Sequence, residues 1–478
     1  MSASAANPAR ARSAGTAIVV VAAFALVVRI LAGMNELWLD EIWSYVLAHR
    51  LTSAVGVFTA IHHDNNHYLN TLYLYVIGAT PVWLVYRIPA IVAGVASVLL
   101  AALIAKRASI FTGLFAAVLF ASSFLMILYS SEARGYGLAV CFALLAVFAA
   151  DRFTVNHRTA WGTSVAVASM LGFLAHLTFV QAYVAIVVWT GYRLFRQRRG
   201  WRAWIDDMVL CHLPPAALVA WLYLVDIRRM EIGGGPESSG FDVMTRALSL
   251  TLGGPAEGVA SVLLAVAALV LLTIAIVLVW RSGSDLWLLF ATATLISPAL
   301  MLVVARPAFL FERYFLVAIA FAVLSMAWPL AALLARNRAA AFALVTLFVA
   351  ANSVHTARLI TRGRGHYLEA MRWMSQHSER RGGGVAIGSD HDFRNGMVVG
   401  FYSQFLPPSP RIVHLQQGEW PADGPEWLLL HSQDRDFRPA PRLGDRGGHQ
   451  YLLANVYPYA ELSGWTWAVY HNTLDKAP

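Results

Sequence analysis

The sequence predicts an all-α polytopic membrane protein of about eleven transmembrane helices, followed by a small C-terminal α/β domain outside the cytoplasm. Of its 478 residues, 58% are hydrophobic and 13% are charged, whereas soluble domains average about 45–50% and about 25%. Repeated apolar runs carry the excess, and about 20 such residues cross a bilayer as a helix. Residues 357–478 instead carry glycine and proline breaks between short strand-like runs.

The first apolar run, "GTAIVVVAAFALVVRILAG" at 15–33, follows Arg10 and Arg12. A signal peptide has a shorter apolar core and a small-residue cleavage site, and no clear site follows here. We therefore predict an uncleaved first helix, with residues 1–14 in the cytoplasm.

Ten further apolar runs extend the membrane domain to residue 356. They cover residues 83–105, 110–128, 136–150, 160–175, 177–194, 208–226, 259–280, 286–304, 314–335 and 339–356. With the N-terminus inside, the basic segments at 106–107, 151–158, 193–202, 281–285 and 336–338 all fall in the cytoplasm, as the positive-inside rule expects. This distribution explains the net charge of +9 without a nucleic-acid partner.

Residues 68–78 are apolar but too short to cross alone. We predict a juxtamembrane or re-entrant helix, because counting it as a span would move the later basic loops outside. The first extracytoplasmic loop then covers residues 34–82. Cys141 and Cys211 lie in or beside apolar segments and indicate neither a disulfide framework nor a metal cluster.

The tail is predicted to be an extracytoplasmic α/β domain over residues 357–478. Its strand candidates are "GVAIGS", "RIVHL", "EWLLLHS" and "TWAVYH", and "FRNGMVVGFYSQF" is a helix candidate between strands.

Most strongly polar residues beside spans fall in the predicted outside loops. These loops contain "WLDEIWSYVLAHR", "HHDNNHYLN", "YSSEARGYG", His176 in "AHLTF", and "RPAFLFERYF". Acids and cations there can face an aqueous or headgroup cavity without the full cost of burial in the membrane.

The segment after the first span has helical spacing. Its apolar residues are Leu39, Ile42, Trp43, Val46 and Leu47, which predicts one apolar face with Asp40, Glu41 and Ser44 pointing elsewhere. Acids in a first turn are also stabilised by the helix dipole. Periodicity alone therefore leaves two readings of Asp40 and Glu41 open, a helix start or a functional pair.

Four segments, in this order, resemble motifs of the GT-C superfamily of membrane glycosyltransferases. They are "LDEIWS", "HHDNNHYLNTLYLYVIG", "YSSEARGYGLAV" and "ERYFLVA", and they are similar to the protein O-mannosyltransferase and aminoarabinose transferase-like bacterial branches. The sequence departs from the family pattern where Asn66-His67-Tyr68 replaces the usual His-Pro-Pro. No motif matches in the tail.

The resemblance implies an enzyme of the cell inner or plasma membrane. It would move a sugar from a polyprenyl-phosphate donor to a cell-envelope glycan, lipid or protein on the extracytoplasmic face, with inversion. The chemistry requires a carboxylate as general base for the acceptor hydroxyl and arginine for the lipid phosphate. Mannose, arabinose and other donor sugars remain open.

Matching residue by residue, the resemblance assigns Asp40 as general base and Glu41 as its orienting or sugar-binding neighbour. Glu132 is the second-loop acid, which binds hydroxyls or positions Asp40; the alternative is a local salt bridge to Arg134. The donor-phosphate candidates are Arg134, Arg313, His67 and Tyr136, and the substrate candidates are Asp64, His63 and Tyr314. For Arg313 the alternative is an interfacial side chain or a pair with Glu312.

His63, Asp64 and His67 are also the candidate ligands of a divalent cation. Strict metal-site spacing is missing, and hydrogen bonds from His67 and Asp64 to sugar or phosphate are the competing interpretation. His176 is predicted to be a capped helix end.

Three other functions compete with the transferase. A transporter or flippase of lipid-linked glycans predicts charged or broken helices at mid-membrane, but Arg29 and Arg87 lie near span ends and no span has a central acid. A polymerase or ligase of lipid-linked glycans would lack the Asp-Glu opening. A non-catalytic GT-C-like subunit is the third alternative.

Overall fold

A computed structural model describes residues 8–235, 239–305, 309–378, 384–434, 436–445, 447–460 and 462–473. Parts of the predicted segments fall outside these ranges, namely residues 1–7 of the N-terminal segment, 306–308 of the last outside loop, and 379–383 and 474–478 of the tail. The chain divides into two compact units. The membrane unit comprises Met1–Gly33, Arg50–Ile77 and Tyr86–Thr356, and the tail unit comprises Met34–His49, Gly78–Val85 and Ala357–Pro478.

The described ranges contain twenty α-helices. They are α1 (Pro8–Gly33), α2 (Leu39–His49), α3 (Gly56–Thr59), α4 (Tyr68–Val76), α5 (Trp83–Ala105), α6 (Ile110–Ser122), α7 (Phe124–Tyr129), α8 (Tyr136–Asn156), α9 (Thr159–Ala175), α10 (Val180–Arg196), α11 (Trp201–Val225), α12 (Gly240–Thr251), α13 (Val259–Arg281), α14 (Leu286–Ala291), α15 (Ser297–Leu300), α16 (Leu316–Ser325), α17 (Ala327–Arg336), α18 (Arg338–Arg362), α19 (Tyr367–His377) and α20 (Asp392–Ser403). Two π-helical stretches, Thr292–Ile296 and Met301–Ala305, join the helices around α15.

Nine helical segments of the described chain are long and apolar enough to cross a membrane. They are Gly15–Gly33, Trp83–Ala105, Tyr136–Asn156, Leu177–Arg196, Trp201–Arg229, Val259–Arg281, Leu286–Val304, Glu312–Arg336 and Arg338–His377, and the shorter apolar helices Ile110–Ser122 and Thr159–Ala175 accompany them. Exposed side chains of α13 include Val262, Leu263 and Val266, which suits contact with lipid. The predicted polytopic helical fold is confirmed.

One predicted span is interrupted. The run 110–128 was expected to be a single helix, but α6 ends at Ser122 and α7 begins at Phe124. Ser123 adopts an extended backbone, with ψ of 121°, and the Phe124 amide donates to Oδ1 of Asn352 at 2.8 Å. A side-chain acceptor thus stabilises the interrupted backbone, which hydropathy cannot reveal.

The basic loops predicted to be cytoplasmic converge at one end of the membrane unit. Asp151 pairs with Arg107 at 3.0 Å and with Arg193 at 2.7 Å, and Arg193 also pairs with Asp285 at 2.9 Å. Asp151 lies near the end of α8 and Tyr136 begins it, so 15 residues at about 1.5 Å each separate these ends by roughly 22 Å.

The apolar segment after the first loop forms α4, a helix of 9 residues. At about 1.5 Å per residue it extends roughly 13 Å, less than half of a hydrocarbon core of about 30 Å. Its length is that of the juxtamembrane or re-entrant helix expected from the sequence.

Arg29 of α1 is buried and bound by hydrogen bonds. Its Nε donates to Oγ of Ser130 at 2.8 Å, and its other nitrogens donate to the carbonyls of Ala25 and Phe120. Ser130 is the second residue of the second-loop motif. This arginine therefore anchors the start of that loop.

The tail unit contains one six-stranded mixed sheet. Its strands are β1 (Val385–Ser389), β2 (Ile412–His414), β3 (Trp427–Ser432), β4 (Arg442–Gly444), β5 (Gln450–Tyr457) and β6 (Thr466–Asn472), in the order β2-β1-β3-β6-β5-β4. The pairs β1–β2 and β1–β3 are parallel, and the others are antiparallel. The four predicted strands and the helix α20 are present; β4 and β5 were not predicted.

Candidate functional site

The two adjacent acids Asp40 and Glu41 lie in the first turn of α2, within the tail unit. The Glu41 side chain is fully buried, and its Oε2 accepts the Trp38 amide at 3.3 Å. Asp40 remains partly exposed. Burial thus separates their roles: Glu41 holds the start of the helix, and Asp40 is the acid that another molecule can reach.

The predicted apolar face of α2 is wrong in part. Glu41 and Ser44 were expected to point away from it, yet both are buried beside Ile42. Their polar atoms find local partners, since Ser44 Oγ donates to the Asp40 carbonyl at 2.9 Å. Such helix-end hydrogen bonds remove the cost of burial.

Glu36, which belongs to no motif in the sequence, lies in the loop just before α2. Its Oε2 accepts the Leu368 amide at 2.8 Å, at the start of α19. Burial raises the pKa of Glu36 to about 7, although backbone hydrogen bonds from α19 act in the opposite direction. A carboxyl titrating near neutrality therefore lies four residues before Asp40.

Glu36→Gln is expected to flatten the pH dependence of stability. A raised pKa means that the folded state keeps a proton that the unfolded chain loses above about pH 4.5, so stability declines as pH rises towards about 7. That difference corresponds to about 3 kcal/mol at most. Thermal unfolding between pH 5 and 8 should show the variant melting above wild type at pH 8. Parallel wild-type and variant profiles would contradict this assignment.

In the membrane unit, the polar segment before α4 binds the second-loop motif. Arg134 Nη2 donates to Oδ1 of Asn65 at 2.7 Å, and Asn70 Nδ2 donates to the Ala133 carbonyl at 2.7 Å. The asparagines of "HHDNNHYLN" thus join two loops that are far apart in the chain. The sequence had not predicted a role for them.

Asp64 accepts two hydrogen bonds in the same segment. Its Oδ1 lies 2.9 Å from His63 Nδ1 and accepts the Gly233 amide at 3.1 Å. Burial raises the pKa of Asp64, but these hydrogen bonds and the charges of His63 and Arg134 outweigh burial and lower it. Asp64 is therefore a stable anion.

His67 is a buried neutral histidine. Its Nδ1 accepts the Gly135 amide at 3.0 Å, so Nε2 carries the proton. Burial lowers the pKa of His67 well below its ordinary value, and the charges of His176, Arg134 and Arg313 add to the effect. The side chain is 3% exposed and Nε2 meets no hydrogen-bond partner. A buried N–H without an acceptor is costly.

Aromatic rings surround His67. Tyr136 lies 5.4 Å and His176 4.5 Å from its ring, and the guanidinium of Arg134 lies 5.1 Å from the Tyr136 ring. His176 follows α9, and its Nδ1 accepts the Thr178 amide at 3.1 Å, so its side chain caps the start of the 3-10 turn Leu177–Phe179. Burial, with Arg134 and Arg313 nearby, lowers the pKa of His176 to about 3.

Gly135 permits this close approach between loops. A Cβ there would lie 1.8 Å from the carbonyl oxygen of Ala175 and 3.1 Å from Cβ of His67. Since a backbone atom cannot rotate aside, no side chain fits at this position.

Gly135→Ala is expected to destabilise the membrane unit by about 3 kcal/mol through overpacking and to displace the Gly135 amide from His67. Thermal unfolding in nanodiscs measures this. Gly234→Ala is the matched control, because its Cβ would meet nothing within 4 Å. An unchanged melting temperature for Gly135→Ala would contradict the packing argument.

Arg313 and Tyr314 lie in the 3-10 turn Glu312–Phe315. The guanidinium of Arg313 lies 4.1 Å from the Phe311 ring, and the Tyr314 carbonyl accepts from Gln181 Nε2 at 2.7 Å. Glu312 pairs with Arg246 at 3.0 Å. Glu312 therefore has an ion-pair partner in α12, which the sequence did not predict.

Glu132 is fully buried in the second loop. The hydroxyl group of Tyr129 interacts electrostatically with Glu132, Glu312 and Arg313, so these three side chains lie near one another. The structure thus collects the membrane-unit candidates into one cluster that is partly buried and partly exposed. Its members are His63, Asp64, His67, Glu132, Arg134, Tyr136, Arg313 and Tyr314.

Among the described residues, no group of three or more histidine, cysteine or acidic side chains is arranged to hold a metal ion. His67 Nδ1 is already occupied by the Gly135 amide. The proposed set His63, Asp64 and His67 therefore does not form a ligand cluster.

Comparison with known proteins finds solved structures that share this architecture. No family model matches the chain, and no curated protein does. ArnT from Cupriavidus metallidurans, solved with undecaprenyl phosphate, matches 96% of the chain and 99% of its own length with a TM-score of 0.50 and 11% identity. The oligosaccharyltransferase of Archaeoglobus fulgidus, solved with zinc and sulfate, matches 87% of the chain and 68% of its own length, with a TM-score of 0.49 and 9% identity. At this level of identity, the likeness to ArnT shows that the two chains share a fold.

Proposed function

We propose that the protein transfers a sugar from a polyprenyl-phosphate donor to a cell-envelope acceptor outside the cytoplasm. The observation that carries the proposal is the Nε2–H group of His67, a buried donor without an acceptor. Arg134 and Arg313 lie close enough for their charges to lower the pKa of His67, together with burial. A phosphate oxygen supplies the acceptor that this N–H lacks, and arginines bind phosphate with charge-assisted hydrogen bonds.

The proposed transfer is a displacement at the anomeric carbon of the sugar. Asp40 takes the proton of the acceptor hydroxyl as its oxygen attacks the anomeric carbon. The bond from that carbon to the phosphate oxygen breaks, and the electron pair leaves with the polyprenyl phosphate. Arg134 and Arg313 stabilise the charge that develops on this phosphate. Attack opposite the leaving group inverts the anomeric centre.

The remaining candidates serve binding. Glu41 positions Asp40 through the start of α2, because its carboxylate holds the Trp38 amide. Asp64, His63 and Glu132 bind sugar hydroxyls, and Tyr136 and Tyr314 border the donor. The multi-pass membrane location suits a lipid-linked donor, whose chain stays in the bilayer.

Purified protein in nanodiscs should release lipid phosphate from labelled polyprenyl-phosphate sugars when an envelope extract supplies the acceptor. A panel of mannose- and arabinose-linked donors identifies the sugar. Movement of intact donor between leaflets without bond cleavage would instead make the protein a flippase. Absence of both activities would favour a non-catalytic subunit.

A further inference from the structure

The sheet of the tail unit has a point where the chain connections reverse direction, and the proposed reaction does not use it. From the carboxyl end of β1 the chain runs through α20 to β2, which neighbours β1 on the side away from β3. From the carboxyl end of β3 it runs in the opposite direction, to β4 at the far edge of the sheet. Such a reversal between adjacent parallel strands opens a crevice at their carboxyl ends, where α/β proteins bind ligands.

Polar side chains meet in this crevice. Asp390 follows β1, and its carboxylate accepts from Nδ1 of His431 in β3 at 2.9 Å and from the His431 amide at 3.1 Å. Nε2 of His431 lies 3.0 Å from Nη1 of Arg394. Because arginine only donates, Nε2 of His431 accepts this hydrogen bond, while its Nδ1–H is donated to Asp390. The further N–H donors of Arg394 and the carboxylate lone pairs of Asp390 are therefore the groups that can meet a ligand.

The protein core holds this network in place. Asn395 is fully buried, donates to Asp390 Oδ1 at 2.9 Å, and accepts from Nε1 of Trp467 at 2.8 Å. The exposed His391 begins α20 and lies 5.8 Å from the His431 ring. A preorganised set of polar groups loses little entropy on binding, which favours ligand recognition.

The charges favour hydroxyl groups over anions. Burial and the nearby charge of Arg394 lower the pKa of His391, so it is neutral at pH 7. Asp390 and Asp392 then outnumber Arg394, and their excess negative charge repels phosphates and carboxylates. Alternating donors and acceptors of low net charge match the hydroxyls of a sugar chain.

The crevice also adjoins the helix of the proposed base. Phe393, between Asp392 and Arg394 in the first turn of α20, packs edge-on against Trp43 of α2 with ring centres 4.9 Å apart. Trp43 lies three residues after Asp40. A chain of sugars bound beside Arg394 therefore lies on the same unit as the residue that would deprotonate it.

We propose that the crevice of Asp390, His391, Arg394 and His431 binds the glycan portion of the acceptor. This inference rests on the proposed function and narrows its acceptor from glycan, lipid or protein to a hydroxyl-rich carbohydrate.

The test is a binding measurement without donor, so it does not depend on catalysis. The probe is the water-soluble glycan fraction from the envelope of a strain lacking this gene, fluorescently labelled and titrated onto the full-length protein in nanodiscs. We expect saturable binding that disappears when periodate has cleaved the vicinal diols of the probe. Asp390→Asn and Arg394→Met should each weaken binding at least about tenfold.

Two variants control for stability. Asp445→Asn removes another Asp–His pair of the tail unit, that with His449 at 2.8 Å, and Arg442→Met removes an exposed arginine from β4. Both should bind the probe as wild type does. Absence of wild-type binding, binding that survives periodate, or wild-type affinity in both crevice variants would overturn the proposal. Binding without lipid-phosphate release would keep the glycan site and reject the transferase.

Discussion

Asp40→Asn is expected to lower the rate of sugar transfer by about 10³-fold, within the range that a positioned general base contributes. The substitution keeps the size and hydrogen-bonding capacity of the side chain but removes its ability to take a proton. Because Asp40 is partly exposed while Glu41 is buried, the loss should appear in the rate at saturating donor and not in folding. Release of labelled lipid phosphate measures it.

Glu41→Gln is the neighbouring comparison. Glu41 holds the Trp38 amide, and glutamine can still accept that hydrogen bond, so a smaller loss of activity is expected. Equal turnover by wild type and Asp40→Asn would remove Asp40 from the base role. A larger loss in Glu41→Gln, with normal thermal unfolding of both variants, would move that role to Glu41.

Hydropathy and charge predicted the architecture well because each is a local property of the chain. Long apolar runs became the membrane helices, and the basic loops around Arg107, Asp151 and Arg193 converged at one end. Strand-like runs in the tail became β1, β2, β3 and β6. The interruption at Ser123 escaped prediction because it depends on Asn352, more than 200 residues later.

The site depends more strongly on partners distant in sequence. Periodicity placed Glu41 on the wrong face of α2, because it could not include the Trp38 amide that satisfies the buried carboxylate. The tautomer of His67 depends on the amide of Gly135, which is 68 positions away. Glu36 lacked any motif, and only its contact with α19 sets it apart. The types of residue were readable from sequence, but their protonation was set by tertiary contacts.

On the proposed function, Arg313→Met and Arg134→Met are each expected to weaken binding of a polyprenyl phosphate by about 10- to 100-fold. A hydrogen bond between charged groups contributes about 1.5–3 kcal/mol, which corresponds to that range. Direct titration of the lipid phosphate onto the protein in nanodiscs measures the effect without any reaction. Arg158→Met, in an exposed basic loop at the far end of α8, is the matched control and should bind as wild type does.

Conservative variants separate charge from geometry. Lysine retains the positive charge but lacks the planar fork of arginine, so Arg313→Lys should recover only part of the affinity. Arg134 is buried and donates to Asn65, so its replacement also loosens the contact between the first and second loops, whereas Arg313 is partly exposed. Arg313 is therefore the cleaner test. If Arg313→Met binds the lipid phosphate as tightly as wild type, this arginine belongs to the alternative of an interfacial side chain, and the phosphate must be held by other groups.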